Sequence, residues 1–514
     1  MTASAPGGHT RRLFHNPILL INCVVCSIAF FCYGYDGSVI SGVLENPPFQ
    51  RTMTSSGSLS AGQLSVITSV PVVGVILGLP PLVFFADRFG RPKIMLVSCV
   101  IVAVGSAVQT AGFNIPTMVV GRAIAYAGIY TLLVLSPVLL AELSPPEIRG
   151  RVVSLSIVLI NVASVVSAGV NWAYSTTPSD VAFRVPLGLQ CVFPVLIGLG
   201  LYFVHESPTF HLINSQNDKA LCSLRRLRKP FSGTEIQTEF EMLQMQSSLA
   251  KQDAEIPWKE LFKGTNLRRT LLSLSIPNFQ MLSGNLFATN YATVFLSQIN
   301  SSTDPFLLVL ALNILALGGA VTGLFLVDLV GRRTLALTTF VVLFLINLSV
   351  GVLGLYNNGT NEQISKAIAA FCLMFGFFFG SGFGPLAYVV PSEFPTARLR
   401  NKCTALTFMT VAVFSLVVAL VLPYISQPDS GNLGAKTYLL FAGWMLMCII
   451  VTFFWFPEVK GRSPAEIDHM FEAKVPARKF KTYVCPIEAA TTASLEKDEK
   501  EEKEGTGVSH MDYA

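Results

Sequence analysis

The chain has 514 residues, of which 52% are hydrophobic and only 13% charged, with a mean hydropathy of +0.56. That balance excludes a string of soluble domains and indicates a polypeptide that crosses a bilayer many times. The net charge of +5 does not call for a nucleic-acid partner, because the cations are spread over loops between apolar runs and not gathered on one domain.

Residues 1–16 are polar and lead straight into a full-length apolar run, so no cleavable signal is expected. Twelve runs of about twenty residues follow, each able to carry a helix across ~30 Å of hydrocarbon. They are predicted at 17–37, 64–85, 94–112, 117–140, 152–172, 186–204, 271–296, 306–327, 335–355, 367–389, 403–423 and 437–456. The first contains FCYGYDGSVISG, in which Asp36 is a lone carboxylate at membrane depth. Such a charge costs roughly 2.5–3.5 kcal/mol on insertion scales and is expected to face the bundle interior with a basic partner. Arg122, one to two turns into the fourth run, is the basic residue lying well inside a span, and the antiparallel course of the two runs brings both toward the same half of the membrane. A carboxylate tuned by burial and by an adjacent arginine binds a proton in one conformation and releases it in another. The alternatives are a permanent ion pair between two helices and direct contact of Asp36 with substrate.

Lys and Arg crowd alternate loops: Arg11 and Arg12, Arg88 to Lys93, Arg149 and Arg151, the central loop, Arg332 and Arg333, Arg398 to Lys402, and the tail. The positive-inside rule then places both termini in the cytoplasm. The sequons at Asn300 and Asn358 fall in loops that this assigns outside. Ten cysteines show no metal spacing and read as small buried hydrophobes.

An internal repeat organises the chain. VFFADRFGRPK around Asp87 echoes FLVDLVGRRTL around Asp328 at a spacing of 241 residues. ELSPPEIRGR at Glu142 echoes SEFPTARLRN at Glu393, and HESP at Glu206 echoes PEVKGRS at Glu458, at spacings of 251 and 252. The expected fold is therefore an all-α membrane protein with twelve transmembrane helices in two six-helix bundles, 17–208 and 268–460, that rock about a central site. Between them 209–267 reads as a cytoplasmic linker with short amphipathic helices, and 461–514 as a polar, largely disordered tail ending in SLEKDEKEEKEGTGVSHMDYA. Acids and arginines at matched loop positions are expected to pair across the interface and close an inner gate: Asp87, Arg91, Glu142, Arg149, Arg151 and Glu206 facing Asp328, Arg332, Arg333, Glu393, Arg398 and Glu458. Plain solvated loop charges are the alternative.

The ordered set GYDGSVISG, DRFGR, Gly121-Arg122, ELSPPEIRGR, FRVPLGLQ, HESP, QMLSG, DLVGRR, PSEFPTARLR and PEVKGRS resembles the sugar porter branch of the major facilitator superfamily, in its fungal form, over about 17–470. The resemblance implies the major facilitator fold, the same gate role for the loop charges, and proton-driven symport through the acid and arginine that Asp36 and Arg122 match. It also implies a monomer in the plasma membrane with no bound cofactor, the proton gradient being the driving force. Pro92 replaces the second arginine of the first DRFGRR-type motif.

A sugar site needs amides and aromatics, since each hydroxyl both donates and accepts while ring carbons stack on an apolar face. By the family pattern Gln280 is kept, whereas Ile157, Met281, Leu286, Gly380, Tyr388 and Ala412 replace polar or aromatic residues. Asn161, Asn285 and Tyr291, with Asn290 and Asn313, are candidate substitutes. The substrate-binding set is thus Gln280, Met281, Asn285, Tyr291, Ile157, Asn161 and Tyr388. Each net hydrogen bond lost costs a hexose roughly 1 kcal/mol, so two transport functions stay open: proton-coupled movement of a carbohydrate, polyol or related hydroxylated molecule, or movement of a less polar solute such as a quinate-like acid or secondary metabolite, including outward. A non-transporting nutrient sensor is a third, against which the short tail argues. No HExxH, GxxxxGK[ST] or GxSxG motif points to an enzyme.

Overall fold

Ten of the twelve apolar runs become single helices, most of them longer than the run itself because their polar ends continue the same backbone hydrogen bonding beyond the hydrocarbon, and two become broken helices. The computed structural model describes residues 17–483 apart from 145, 229–232, 255, 299–303, 357–360 and 397. Spans 1 to 5 are Pro17–Glu45, Ala61–Phe89, Arg91–Ala111, Ile115–Leu143 and Pro146–Tyr174. Span 6 is Val181–Gly188 and Val192–Leu201 joined by a 3₁₀ turn, and span 7 is broken into Gly264–Met281, Asn285–Asn290 and Ala292–Gln298. Spans 8 to 12 are Pro305–Val330, Arg332–Tyr356, Glu362–Glu393, Arg400–Ser426 and Thr437–Trp455. Ten of these elements are long and apolar enough to cross a bilayer as single described stretches; span 5 adds the apolar Val158–Tyr174, and the broken span 7 is the twelfth. No strand occurs among the described residues.

Within the first half, span 1 packs on spans 4, 5 and 6, and span 3 on spans 4 and 6; within the second, span 8 packs on 10, and span 9 on 10 and 12. The halves meet where span 2 lies on span 11, span 5 on span 8, and span 1 on the short pieces of span 7. This is the expected pair of six-helix bundles. The loops bearing Arg91 and Arg332 lie at one end, called here the motif end, and the loops before span 2 and before span 12 at the far end.

The linker is helical, as its amphipathic pattern predicts, over Pro208–Ile213, Asn217–Leu227 and Gly233–Ala254. Leu212, Leu224, Ile236 and Phe240 form its own small core. Arg228 pins it to the first half, donating to both Glu239 oxygens at 2.9–3.2 Å and to the Leu143 carbonyl at 2.9 Å. Its other end is tied to span 11 by Lys402, whose Nζ donates to the Asp253 carbonyl at 3.2 Å.

The tail expectation needs correction. Residues 461–483 are folded against the second half, with a helix at Pro464–Glu472 started by a Ser463/Glu466 capping box. Met470, Phe471, Val475 and Phe480 are buried in the same core as spans 9 to 12, and Arg269 bonds Asp468. Ile467, Met470 and Phe471 share one helix face, a spacing that mean polarity conceals. Residues from 484 on, and the sequons at Asn300 and Asn358, lie outside the described residues.

Candidate functional site

Asp36 and Arg122 are 3% and 1% exposed and belong to one buried polar cluster in the first half. Arg122 acts on the Asp36 carboxylate electrostatically and not through a direct ion pair; its Nη2 donates instead to the Tyr126 hydroxyl, 3.0 Å away and one turn on, and its guanidinium lies over the Tyr126 ring. Asp36 is held from the other side by Gln190, whose Nε2 donates to Oδ1 at 2.7 Å, and Gln109 donates in turn to Gln190 Oε1. Arg122 Nε and Nη1 have no hydrogen-bond partner among the described residues. Tyr33 and Tyr130 stack edge to face at 5.3 Å beside this cluster, within electrostatic range of both Asp36 and Tyr388.

Tyr388 comes from span 10 in the other half, five residues before its motif end, and is 42% exposed; its range to Tyr33 and Tyr130 of the first half places it at the cleft between the halves. Gln280, Met281 and Asn285 flank the break in span 7 and are half-buried. Neither the Gln280 nor the Asn285 amide has a partner among the described residues, which leaves both available to a solute. Asn161 is half-buried on span 5, while Asn313 turns back on its own helix to the Val309 carbonyl. The side chains of Ile157, Asn290, Asp87, Arg149, Arg151 and Asp328 lie outside the described residues.

Tyr291 is placed differently from the expectation. It is 1% exposed and seals the far end: its hydroxyl bonds Thr68 Oγ1 of span 2 at 2.5 Å. Three more bonds cross between the halves there. Ser65 Oγ donates to the Leu420 carbonyl at 2.9 Å, the Ala61 N–H to Asp429 Oδ2 at 2.8 Å, and Trp172 Nε1 to Asp304 Oδ2 at 3.1 Å. A recess of about 420 Å³ that includes Glu45, Gln63, Gln427 and Asp429 lies at this far end; Gln63 and Asp429 in it are already engaged as helix caps.

At the motif end the charge pairs among the described residues join residues of the same half, whereas the expected pairs across the interface include Asp87, Arg149, Arg151 and Asp328, whose side chains lie outside the described residues. Arg91 Nη2 meets Glu142 Oε1 at 3.3 Å, and Arg332 grips Glu393 through Nε and Nη2 at 3.1 and 2.9 Å. Glu458 caps span 9, accepting the N–H groups of Arg332 and Arg333 at 2.9 and 3.0 Å, and Glu206 accepts that of Arg91 at 3.2 Å in the matching place. Burial pushes the Glu206 carboxyl above its usual range, with the Arg91 and Ser207 N–H groups opposing. The N-cap residues of spans 3 and 9 are Gly90 and Gly331, at φ +103° and +99°; a Cβ there would lie 1.9 and 2.6 Å from the carboxylates of Glu206 and Glu458. Only glycine admits the borrowed cap, which explains the glycine in both DRFGR and DLVGRR. Arg333 Nη2 donates to the Phe453 carbonyl, and Arg398 is exposed with no partner among the described residues. Glu206 and Glu458 thus lie at helix starts of their own halves, and the hydrogen bonds described between the halves are at the far end.

The profile of the family described as Sugar (and other) transporter matches residues 22–471, most of the chain and both halves. The chain belongs to that family. It is therefore a major facilitator sugar porter by descent and not an enzyme. The low-affinity glucose transporter HXT1 of Saccharomyces cerevisiae is 28% identical over 90% of this chain and 83% of its own length. The high glucose sensor RGT2 of the same organism is 27% identical over 87% of this chain and 60% of its own length. Among solved structures, the inward-open xylose transporter XylE from E. coli superposes with a TM-score of 0.72 at 21% identity, covering 88% of this chain and 99% of that one, which shows a shared fold.

For this sugar porter, reading the residues had missed Gln109, Gln190 and Tyr126 around Asp36, and Ser65, Thr68 and Asp429 at the far-end seal. The signal for the first group was present: Gln109 and Gln190 are amides inside apolar runs, and the argument that singled out Asp36 applies to them with a smaller penalty. Short hydroxyl residues in a span carry no such signal, since they bond their own backbone as readily as a neighbour.

Proposed function

We propose that the protein carries a carbohydrate, polyol or related hydroxylated small molecule together with a proton across the plasma membrane, by alternating access and as a monomer. The observation that carries this is the buried Asp36 carboxylate set between Arg122 and Gln190 in the half that faces Tyr388 across the cleft. A carboxylate in that position responds to whether water reaches it, and rocking of the halves changes that access. By the positive-inside rule the motif end is cytoplasmic, so a protein sealed at the far end is ready to release solute inward. The glucose transport named for HXT1 supports a sugar, and the partnerless amides of Gln280 and Asn285 supply hydrogen-bonding groups for hydroxyls.

A second reading, a less polar solute, is favoured by Met281 and Leu286 at the break in span 7, which leave only two free amides there. Reconstitution into liposomes with an imposed pH gradient separates the readings, with a sugar, a polyol, quinate and an apolar acid as competitors. Accumulation of the sugar or polyol against its gradient, lost in Asp36→Asn while equilibrative exchange continues, is expected. Accumulation that survives Asp36→Asn removes proton coupling through this residue, and competition by the apolar acid alone favours the second reading.

A further inference from the structure

We propose that Gln109 is a positioning residue for the Asp36 carboxylate, acting through Gln190; the functional consequence rests on the proton-coupling reading above. Three spans contribute one side chain each to an unbroken buried line: Gln109 from span 3, Gln190 from the turn in span 6, and Asp36 from span 1. A primary amide has one accepting end and one donating end. Gln109 Nε2 occupies the Gln190 oxygen, so the Gln190 NH₂ is committed to Asp36 Oδ1. A donor aimed at a carboxyl oxygen binds the charged form more strongly than the neutral one, so this orientation favours an ionised Asp36.

The fit depends on the Gly121-Arg122 pair. A Cβ on Gly121 would lie 2.6 Å from the backbone nitrogen of Gln109 and 3.0 Å from its Cα and Cβ. The glycine lets span 3 lie directly on span 4, bringing Gln109 to Gln190 while the next residue, Arg122, acts on Asp36. One dipeptide thereby sets both the cation and the amide line. The other titratable groups around Asp36 are Cys32 and Tyr33 on its own span and Tyr126 and Tyr130 on span 4, with Tyr388 from span 10 next to Tyr33 and Tyr130. Residues 158–174 of span 5 carry no charge, and the outer pieces of span 7 bring only Tyr291, which is engaged with Thr68. None of these holds the Gln190 oxygen, so no described residue replaces Gln109.

The test titrates the Asp36 carboxyl in the purified full chain by its infrared C=O band, assigned by its absence in Asp36→Asn, alongside the pH profile of gradient-driven uptake. Gln109→Leu keeps the volume and frees the Gln190 amide to turn its oxygen toward a protonated Asp36. The midpoint should then rise by about half to one pH unit, a three- to tenfold tighter proton hold. Gln190→Met should give a shift of the same sign, and the double variant no more than the larger single one, as residues in one line are not additive. Gln190→Met also reads the line should Gln109→Leu fail to yield folded protein. An unmoved midpoint in folded Gln109→Leu, or shifts of the two variants that add, overturns the proposal. If the wild type shows no gradient-driven uptake while the band still shifts, the symport reading fails and the positioning role stands.

Discussion

Replacing Glu458 with alanine decides whether the loop carboxylates hold each half together or gate the two halves. Its carboxylate accepts five backbone N–H groups, those of Arg332, Arg333, Thr334, Val459 and Lys460, at 2.9–3.4 Å. The first three open span 9, whose own N-cap is a glycine with no side chain to offer. Losing an N-cap acceptor costs about 0.5–2 kcal/mol, and losing an anion at a helix N-terminus about 0.3–1 kcal/mol more. Glu458→Ala should therefore destabilise the protein by roughly 1–3 kcal/mol, and Glu458→Gln, which keeps one accepting oxygen, by about 0.3–1 kcal/mol. Among the described residues the Glu206 carboxylate accepts only the N–H groups of Arg91 and Ser207, at 3.2 and 3.3 Å, so Glu206→Ala should cost less than Glu458→Ala. Thermal unfolding of the detergent-solubilised full chain measures the series. A Glu458→Ala protein as stable as wild type, yet with altered access at the far end, would refute the same-half assignment and restore a gate between halves.

Tyr291→Phe removes the hydroxyl bond to Thr68 and should loosen the far-end seal by about 1 kcal/mol, roughly a fivefold gain in the open population. The labelling rate of a single cysteine at Val294 from the far side reads that change, and an unchanged rate sinks the seal. In the tail, Phe480→Ala empties a fully buried site and should cost ~3–5 kcal/mol in thermal unfolding, whereas a disordered tail predicts no loss. Glu466 is held below its usual value of 4.5 chiefly by the Ser463 N–H, with Arg462 adding to it. Because the folded form prefers the carboxylate, its contribution is present above pH 4.5 and fades as pH falls through the lowered value. Wild type should therefore exceed Glu466→Gln in stability at neutral pH and match it in acid; a gap that persists in acid contradicts the capping role.

Much of the architecture was legible in the residues. Hydrocarbon thickness converts apolar run length into a span, and the loop echoes around Asp87 and Asp328 revealed two equivalent halves without any contact being known. Asp36 and Arg122 stood out for the same reason, since a charge in an apolar run has few places to go. The tail was misjudged because averaged polarity hides a one-sided stripe such as Ile467, Met470 and Phe471. The same-half partners of Glu142, Glu206, Glu393 and Glu458 had no local signal, because sequence reports equivalence by repeat, not proximity. Tyr291 shows the same limit: its place beside the break in span 7 suggested the cleft, but helix rotation turned it into the seal.

The amino-acid order by itself determined the number of spans, the duplication and the presence of a costly buried acid, because each follows from local length, pattern or solvation energy. Only the tertiary structure decided which end is closed, that Glu206 and Glu458 cap helices of their own halves, and that Gln190 and Gln109 stand behind Asp36. Those outcomes depend on the rotation and approach of helices far apart in the chain, set by contacts such as Gly121 on Gln109 that have no local signature.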